Sequence, residues 1–261
     1  MLIKLSSLDP FQLCFWRSAL ALAVLFAVER ARAAPRDPAI LLASLCYAAS
    51  LLFFVVATRL TTAASAIFLT YTSPAFVLVL GHFLLGERIS RRGALTVFGC
   101  LAGMAILLLE SHGGAPGLAG NALAVAGGAS FALLTVLLRS SRDAEPLGAV
   151  VLGNLWVVAI GAAAILVRGR AEPWRDFALG PADAAGVFFL GVFQLGLSYI
   201  LFARAVGALP ALDVALVSSI EPVLNPIWVM LLAGESPSRA AFVGGAIIVF
   251  SITAYLSSRR Q

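Results

Sequence analysis

A chain of 261 residues that is 61% apolar and 12% charged, with a mean hydropathy of +0.99, carries more apolar surface than a soluble protein of this size can bury. That balance excludes a secreted disulfide scaffold, a nucleic-acid-binding domain and a soluble enzyme. It also makes the net charge of +5 a property of loops rather than a mark of acidic ligands.

In chain order, nine apolar runs cover residues 11–28, 39–58, 63–85, 93–109, 118–138, 147–167, 184–203, 211–233 and 240–258. Together they hold 182 residues but only 3 of the 31 charged side chains: Arg17, Asp213 and Glu221. Each run is 17 to 23 residues long, close to the ~20 that a helix needs to cross ~30 Å of hydrocarbon. The spacing predicts an all-α integral membrane protein with nine transmembrane helices. The first run is followed by an Ala-Arg-Ala sequence, but Arg17 inside it and the Asp9-Pro10 turn ahead of it argue against a cleaved signal peptide. Cys14, Cys46 and Cys100 all lie inside runs with no second Cys or His at ligand spacing. They read as small buried hydrophobes, and no metal or other cofactor is expected.

Lys and Arg in the short loops set the orientation, because positive loops stay cytoplasmic. One side collects Arg30, Arg32, Arg36, Arg88, Arg91, Arg92, Arg139, Arg142, Arg204, Arg259 and Arg260, eleven in all. The other has six: Lys4, Arg59, Arg168, Arg170, Arg175 and Arg239. The bias predicts a multi-pass protein of the inner or plasma membrane with a cytoplasmic C-terminus. Nine crossings then leave the N-terminus outside.

Self-comparison at an offset of 148 residues pairs Pro74 with Pro222, Gly86-Glu87 with Gly234-Glu235, and Ser90-Arg91 with Ser238-Arg239. Ser50, Phe54, Ala57, Ala63 and Leu84 match their counterparts too, giving ten identities over positions 50–91. About four are expected from so biased a composition, so the chain reads as a duplication, with units at 1–110 and 118–258. Five crossings separate the two Gly-Glu turns, an odd number, so the units run in opposite senses through the membrane. Inverted repeats of this kind build secondary transporters, in which two halves rock about a central site. By the same count the first unit, with four helices against five, is one helix short.

Several of these residues carry a family likeness. Phe15-Trp16-Arg17, then Ser73-Pro74 with Gly86-Glu87-Arg88 twelve residues after the proline, repeated as Glu221-Pro222 and Gly234-Glu235-Ser236, resembles the EamA-type family of the drug/metabolite transporter superfamily across nearly the whole chain. The resemblance implies a ten-helix fold, here without its first helix. It also implies secondary active export or exchange of small metabolites such as amino acids or drugs, driven by an ion gradient. A chain without the first helix could instead be a non-transporting or partner-dependent membrane protein. An integral membrane enzyme fits less well, since two isolated histidines and one lysine do not make a reactive cluster at one interface.

Ionisable groups at membrane depth are functional candidates. Glu221 lies mid-span beside Pro222 and Pro226, which remove backbone hydrogen bonds and can leave carbonyls facing a cavity. It is a candidate proton carrier or, equally, an acid neutralised by a neighbour. Arg17 could receive a substrate carboxylate, bridge helices, or snorkel to the outer interface. Asp213 reads as an interfacial charge and His82 as a minor gating candidate. Polar and aromatic residues expected to turn inward towards a small-molecule substrate are Tyr47, Tyr71, Asn154, Trp156, Gln194, Tyr199 and Asn225. Trp16 and Trp174 read as interface anchors, and Gly127-Gly128 and Gly244-Gly245 as points of close helix approach. Pro74, Pro222 and Pro226 are read as helix breaks. Gly86, Glu87, Gly234 and Glu235 are structural turns, with Ser90 and Ser238 as the following helix caps. The expected partners are a small-molecule substrate, the lipid bilayer and protons.

Overall fold

The computed structural model describes residues 3, 6–29, 37–109, 117–140, 146–168, 177–221, 223, 224 and 239–258, and every regular element among them is helical. In chain order these are α1 (Pro10–Glu29), α2 (Pro38–Leu60), α3 (Ala63–Thr70), α4 (Ser73–Leu85), α5 (Arg91–Leu109), α6 (Leu118–Ser140), α7 (Pro146–Arg168), α8 (Pro181–Phe189), a π-helical stretch (Leu190–Leu197), α9 (Ser198–Ala208), α10 (Ala211–Ser218) and α11 (Arg239–Ser258). Six segments are long and apolar enough to cross a membrane: Pro10–Ala27, Pro38–Leu60, Ser65–Leu85, Leu118–Ser140, Pro146–Val167 and Asp183–Ala208. A shorter one covers Phe242–Ser258. The protein is a multi-pass membrane protein. Of the expected span at 211–233, residue 222 and residues 225–233 lie outside the described residues.

Local chemistry explains where the helices start and stop. The Asp37 carboxylate accepts from the Ala39 amide at 2.8 Å, and Pro38 fills a first-turn position that needs no N–H donor. The Thr62 hydroxyl accepts from the Ser65 amide at 3.1 Å, and Ser90, the cap expected from the sequence, accepts from the Gly93 amide at 2.9 Å. The helix α4 ends on Gly86, whose φ of 67° lies in the left-handed region that suits glycine, and the Glu87 amide donates back to the Gly81 carbonyl at 3.1 Å.

The helix α2 packs along α6 and α7, α1 along α7 and the π-helical stretch, α4 along α6 and α10, and α5 along α11. In lipid there is little hydrophobic drive between helices, so close approach of small residues supplies much of the contact. At position 103 of α5 a Cβ would lie 2.7 Å from the Gly244 carbonyl oxygen of α11, which is backbone and cannot rotate aside. Gly128 meets the Thr70 carbonyl in the same way, so both glycine pairs mark tight contacts as expected. Cys14, Cys46 and Cys100 are free and buried.

Hydrogen bonds sort the helix termini into two ends. At one, Thr61 donates to the Asn121 side-chain oxygen at the start of α6 (2.8 Å), and Arg59 donates to the backbone of Ser6 and Leu8 (3.0 and 2.9 Å). At the other, Arg139 near the end of α6 donates to the Gly207 carbonyl (3.2 Å), and Arg92 donates to the Ser258 carbonyl (3.4 Å).

Helix boundaries recur at a fixed separation. The ends of α2 and α9 (Leu60, Ala208), the whole of α3 and α10 (Ala63–Thr70, Ala211–Ser218) and the starts of α5 and α11 (Arg91, Arg239) each stand 148 residues apart. A two-residue turn follows α3 at Tyr71-Thr72 and α10 at Ser219-Ile220, and helix resumes at Ser73 and at Glu221. The matched termini face opposite ways. The end of α2 sits at the start of α6 and the end of α9 at its finish, while α5 and α11 lie antiparallel.

Candidate functional site

The helix α1 carries Arg17 into the bundle interior, seven residues from its start at Pro10, which is about 10 Å along the axis at ~1.5 Å per residue. The side chain is 3% exposed. Gly191 brings the π-helical stretch against α1, since a Cβ there would lie 2.7 Å from the Leu20 Cβ and 2.9 Å from the Arg17 carbonyl oxygen. That approach sets Gln194 opposite the guanidinium, and its side-chain oxygen accepts from Arg17 Nη2 at 3.0 Å. Arg17 Nε is buried without a hydrogen-bond partner, and among the described residues no carboxylate makes an ion-pair contact with Arg17. π-helical turns are uncommon and concentrate at functional sites.

Side chains from five further segments gather near this cation. Tyr47 of α2 is fully buried, and its hydroxyl accepts from Asn154 Nδ2 of α7 at 2.8 Å. The Tyr47 ring meets the ring of Tyr199, in the first turn of α9, edge-on with centroids 4.7 Å apart. Tyr71, in the turn after α3, donates its hydroxyl to the Glu221 carboxylate, in the matching segment after α10. Arg17 interacts electrostatically with Tyr47, Tyr199 and Glu221, and Glu221 in turn with Tyr71 and Tyr199. The group therefore holds one basic and one acidic side chain among phenols and amides.

Seven of the nine candidates from the sequence, Arg17, Tyr47, Tyr71, Asn154, Gln194, Tyr199 and Glu221, come together here. Trp156 does not. It is 37% exposed, and its indole N–H donates to the Ser44 hydroxyl of α2 at 3.2 Å, so it braces two helices and makes no hydrogen bond with the group. Asn225, Pro222, Pro226, Gly234, Glu235, Trp174 and Ser238 lie outside the described residues. Pro74 stands in the first turn of α4, after the break at Tyr71-Thr72, where its missing N–H costs nothing.

Other expectations shift. Trp16 packs against the bundle core with its indole nitrogen buried, instead of anchoring at an interface. Asp213 is buried in the first turn of α10, where a negative charge suits the helix dipole. His82 is exposed, and its ring nitrogen lies 3.0 Å from the Glu87 carbonyl at the end of α4. A cavity of about 430 Å³ opens beside it, lined by Glu87, Arg88, Ser90, Arg92, Pro210 and Tyr255, at the end marked by Arg92 and Ser258.

The π-helical stretch had no signal in the sequence, because its residues read as part of an unbroken apolar run. A polar tie at the opposite end was also missed. There Asp183, in the first turn of α8, accepts from the Ser6 hydroxyl (2.8 Å), the Ser7 amide (3.0 Å) and the Ser7 hydroxyl. Arg59 fastens the same N-terminal segment to the end of α2. Two serines in a short segment ahead of a helix carry no pattern that would single them out.

Comparison with known proteins supplies a context for this geometry. Residues 1–109 and 118–257 match the EamA-like transporter family. An uncharacterized transporter of Archaeoglobus fulgidus is 27% identical over 99% of this chain and 91% of its own length. An uncharacterized protein of Pseudomonas aeruginosa is 32% identical over 67% of this chain and 60% of its own. A protein of known crystal structure superposes with a TM-score of 0.79 at 22% identity, over 98% of this chain and 90% of that one, so the fold is shared.

Proposed function

This chain belongs to the EamA-like transporter family and is a membrane transporter of the drug/metabolite type, and we propose that it is not an enzyme and exports small metabolites such as amino acids or drugs by proton-coupled alternating access. The observation that carries the reading is the set of Arg17, Gln194, Tyr47, Tyr199, Tyr71 and Glu221, gathered from both halves of the chain. A site between two repeats is reachable from either side as the halves rock. The helix boundaries 148 residues apart, with matched termini at opposite ends, support two inverted units at 1–110 and 118–258, and they support a nine-crossing topology for this sequence. The arginine-rich end bearing Arg92, Arg139 and the C-terminus is assigned to the cytoplasm.

Glu221 is assigned the proton. It sits where a helix restarts, against the Tyr71 hydroxyl, and acids within membrane spans serve as proton relays. Its repeat partner Ser73 is uncharged, so the fold does not need an acid at that position. Metabolite profiling of cells overproducing the protein identifies the cargo, and flux of that cargo is then measured in proteoliposomes under an imposed pH gradient. Proton-driven flux in the wild type and its loss in Glu221→Gln are expected. Flux indifferent to the pH gradient, or undiminished in the variant, removes the proton role.

A further inference from the structure

A guanidinium presents five N–H donors in a rigid planar fork, and the edge formed by Nε and Nη2 matches the two oxygens of a carboxylate. At Arg17 that edge is half used. Gln194 Oε1 accepts from Nη2 at 3.0 Å, while Nε is buried with no hydrogen-bond partner. A cation that is 3% exposed and satisfied by one neutral amide is an unstable arrangement, since a buried charge ordinarily takes a counter-ion and a full set of hydrogen bonds. The acid that could neutralise it, Glu221, is held instead by the Tyr71 hydroxyl from the opposite repeat, within electrostatic reach but out of ion-pair contact. Tyr47 and Tyr199 stand edge-to-face beside the same cation. Gln194 is itself carried on the π-helical stretch, where the widened backbone hydrogen bonding leaves the helix easier to rearrange than an α-turn.

We propose that Arg17 is the seat of a carboxylate on the transported molecule and that Gln194 is its placeholder. The amide oxygen fills one of the two acceptor positions while the site is empty. An incoming carboxylate displaces it and takes both Nε and Nη2, and the freed amide turns to donate to the substrate or to water. The inference rests on the transport reading and narrows it: cargo is selected for an anionic end first, and the remainder lies along the tyrosines towards Glu221.

Matched probes test this with the full-length protein in detergent. Phenylacetate, phenylacetamide and phenethylamine share one ring and differ in the end group, as do isovalerate, isovaleramide and isoamylamine. Thermal unfolding is followed against increasing concentrations of each, since a ligand that binds only the folded state raises the midpoint. At least one carboxylate is expected to raise the midpoint while its amide and amine do not. Arg17→Gln abolishes that response. Gln194→Glu, which places a permanent carboxylate on the fork, also abolishes it while raising the midpoint without probe. Gln194→Leu removes the placeholder, lowers the midpoint without probe, and strengthens carboxylate binding several-fold, an outcome that a purely structural Arg17–Gln194 bond does not give. The proposal is overturned if amides or amines act as strongly as carboxylates, if neither carboxylate acts, or if Gln194→Leu weakens the response. Proteoliposome flux of the profiled cargo separates the two levels. A cargo without an acidic group, carried equally well by Gln194→Glu, leaves the transporter standing and removes the Arg17 assignment. Absence of any carrier flux removes the transport reading itself.

Discussion

Asp183 and Arg17 are both charged groups tied to α1 or to the segment leading into it, and they are treated in opposite ways. Asp183 stands at the water-facing end of α8 and receives three hydrogen bonds from Ser6 and Ser7, as many as its surroundings supply. Arg17 lies inside the bundle, where each unmet donor is far more costly, yet it has one neutral acceptor and an idle Nε. Where a charge only has to hold two helices together, the chain saturates it. Where satisfaction is withheld at a depth that makes withholding expensive, the gap fits a ligand that comes and goes.

Substitutions can break that contrast or sharpen it. The largest effect is expected from Arg17→Met, which removes the cation and keeps much of the volume. Cargo flux in proteoliposomes should vanish while the unfolding midpoint holds or rises, because replacing a poorly compensated buried charge by an apolar group is commonly neutral or stabilising by about 1–4 kcal/mol. A large loss of stability would instead make Arg17 a structural bridge. Gly191→Leu should cost roughly 1–3 kcal/mol by overpacking α1 against the π-helical stretch, and by separating Arg17 from Gln194 it should cut flux as well; a stability loss with normal flux would uncouple that contact from transport. Tyr47→Phe leaves Asn154 Nδ2 with only the Val150 carbonyl, 2.9 Å away. It should lower stability by about 1 kcal/mol, read from the unfolding midpoint, with a several-fold drop in flux. Asp183→Asn should do least, with a small fall in midpoint that high salt masks and flux close to wild type. If it abolished flux, the saturated charge would belong to the transport cycle and the contrast would fail.

Much of this arrangement is legible in the sequence, for physical reasons that can be named. A membrane admits so few ways to satisfy a backbone that apolar run lengths suffice to predict an all-helical membrane protein. The rarity of charge in hydrocarbon singles out Arg17 and Glu221 with no knowledge of packing. What stays hidden depends on distances across the fold. Asn154 and Trp156 are two residues apart on α7 and equally polar in tone, yet one bonds Tyr47 and the other Ser44, because a two-residue step on a helix turns the side chain through more than a right angle. The π-helical stretch is hidden for a related reason. Leu190–Leu197 is as apolar as any α-helix, and its widened turns become apparent only once Gly191 has brought α1 against it.

The antiparallel seam of α5 and α11 has a consequence for a severed chain. The helix α5 lies against α11, with Gly103 set on the Gly244 backbone and Arg92 reaching Ser258. Helices inserted separately can still find such a steric match within the bilayer, because the contact relies on shape and not on chain connection. Two polypeptides divided between α5 and α6 and made in the same cell should therefore co-purify, and Gly103→Leu in one of them should stop them from doing so.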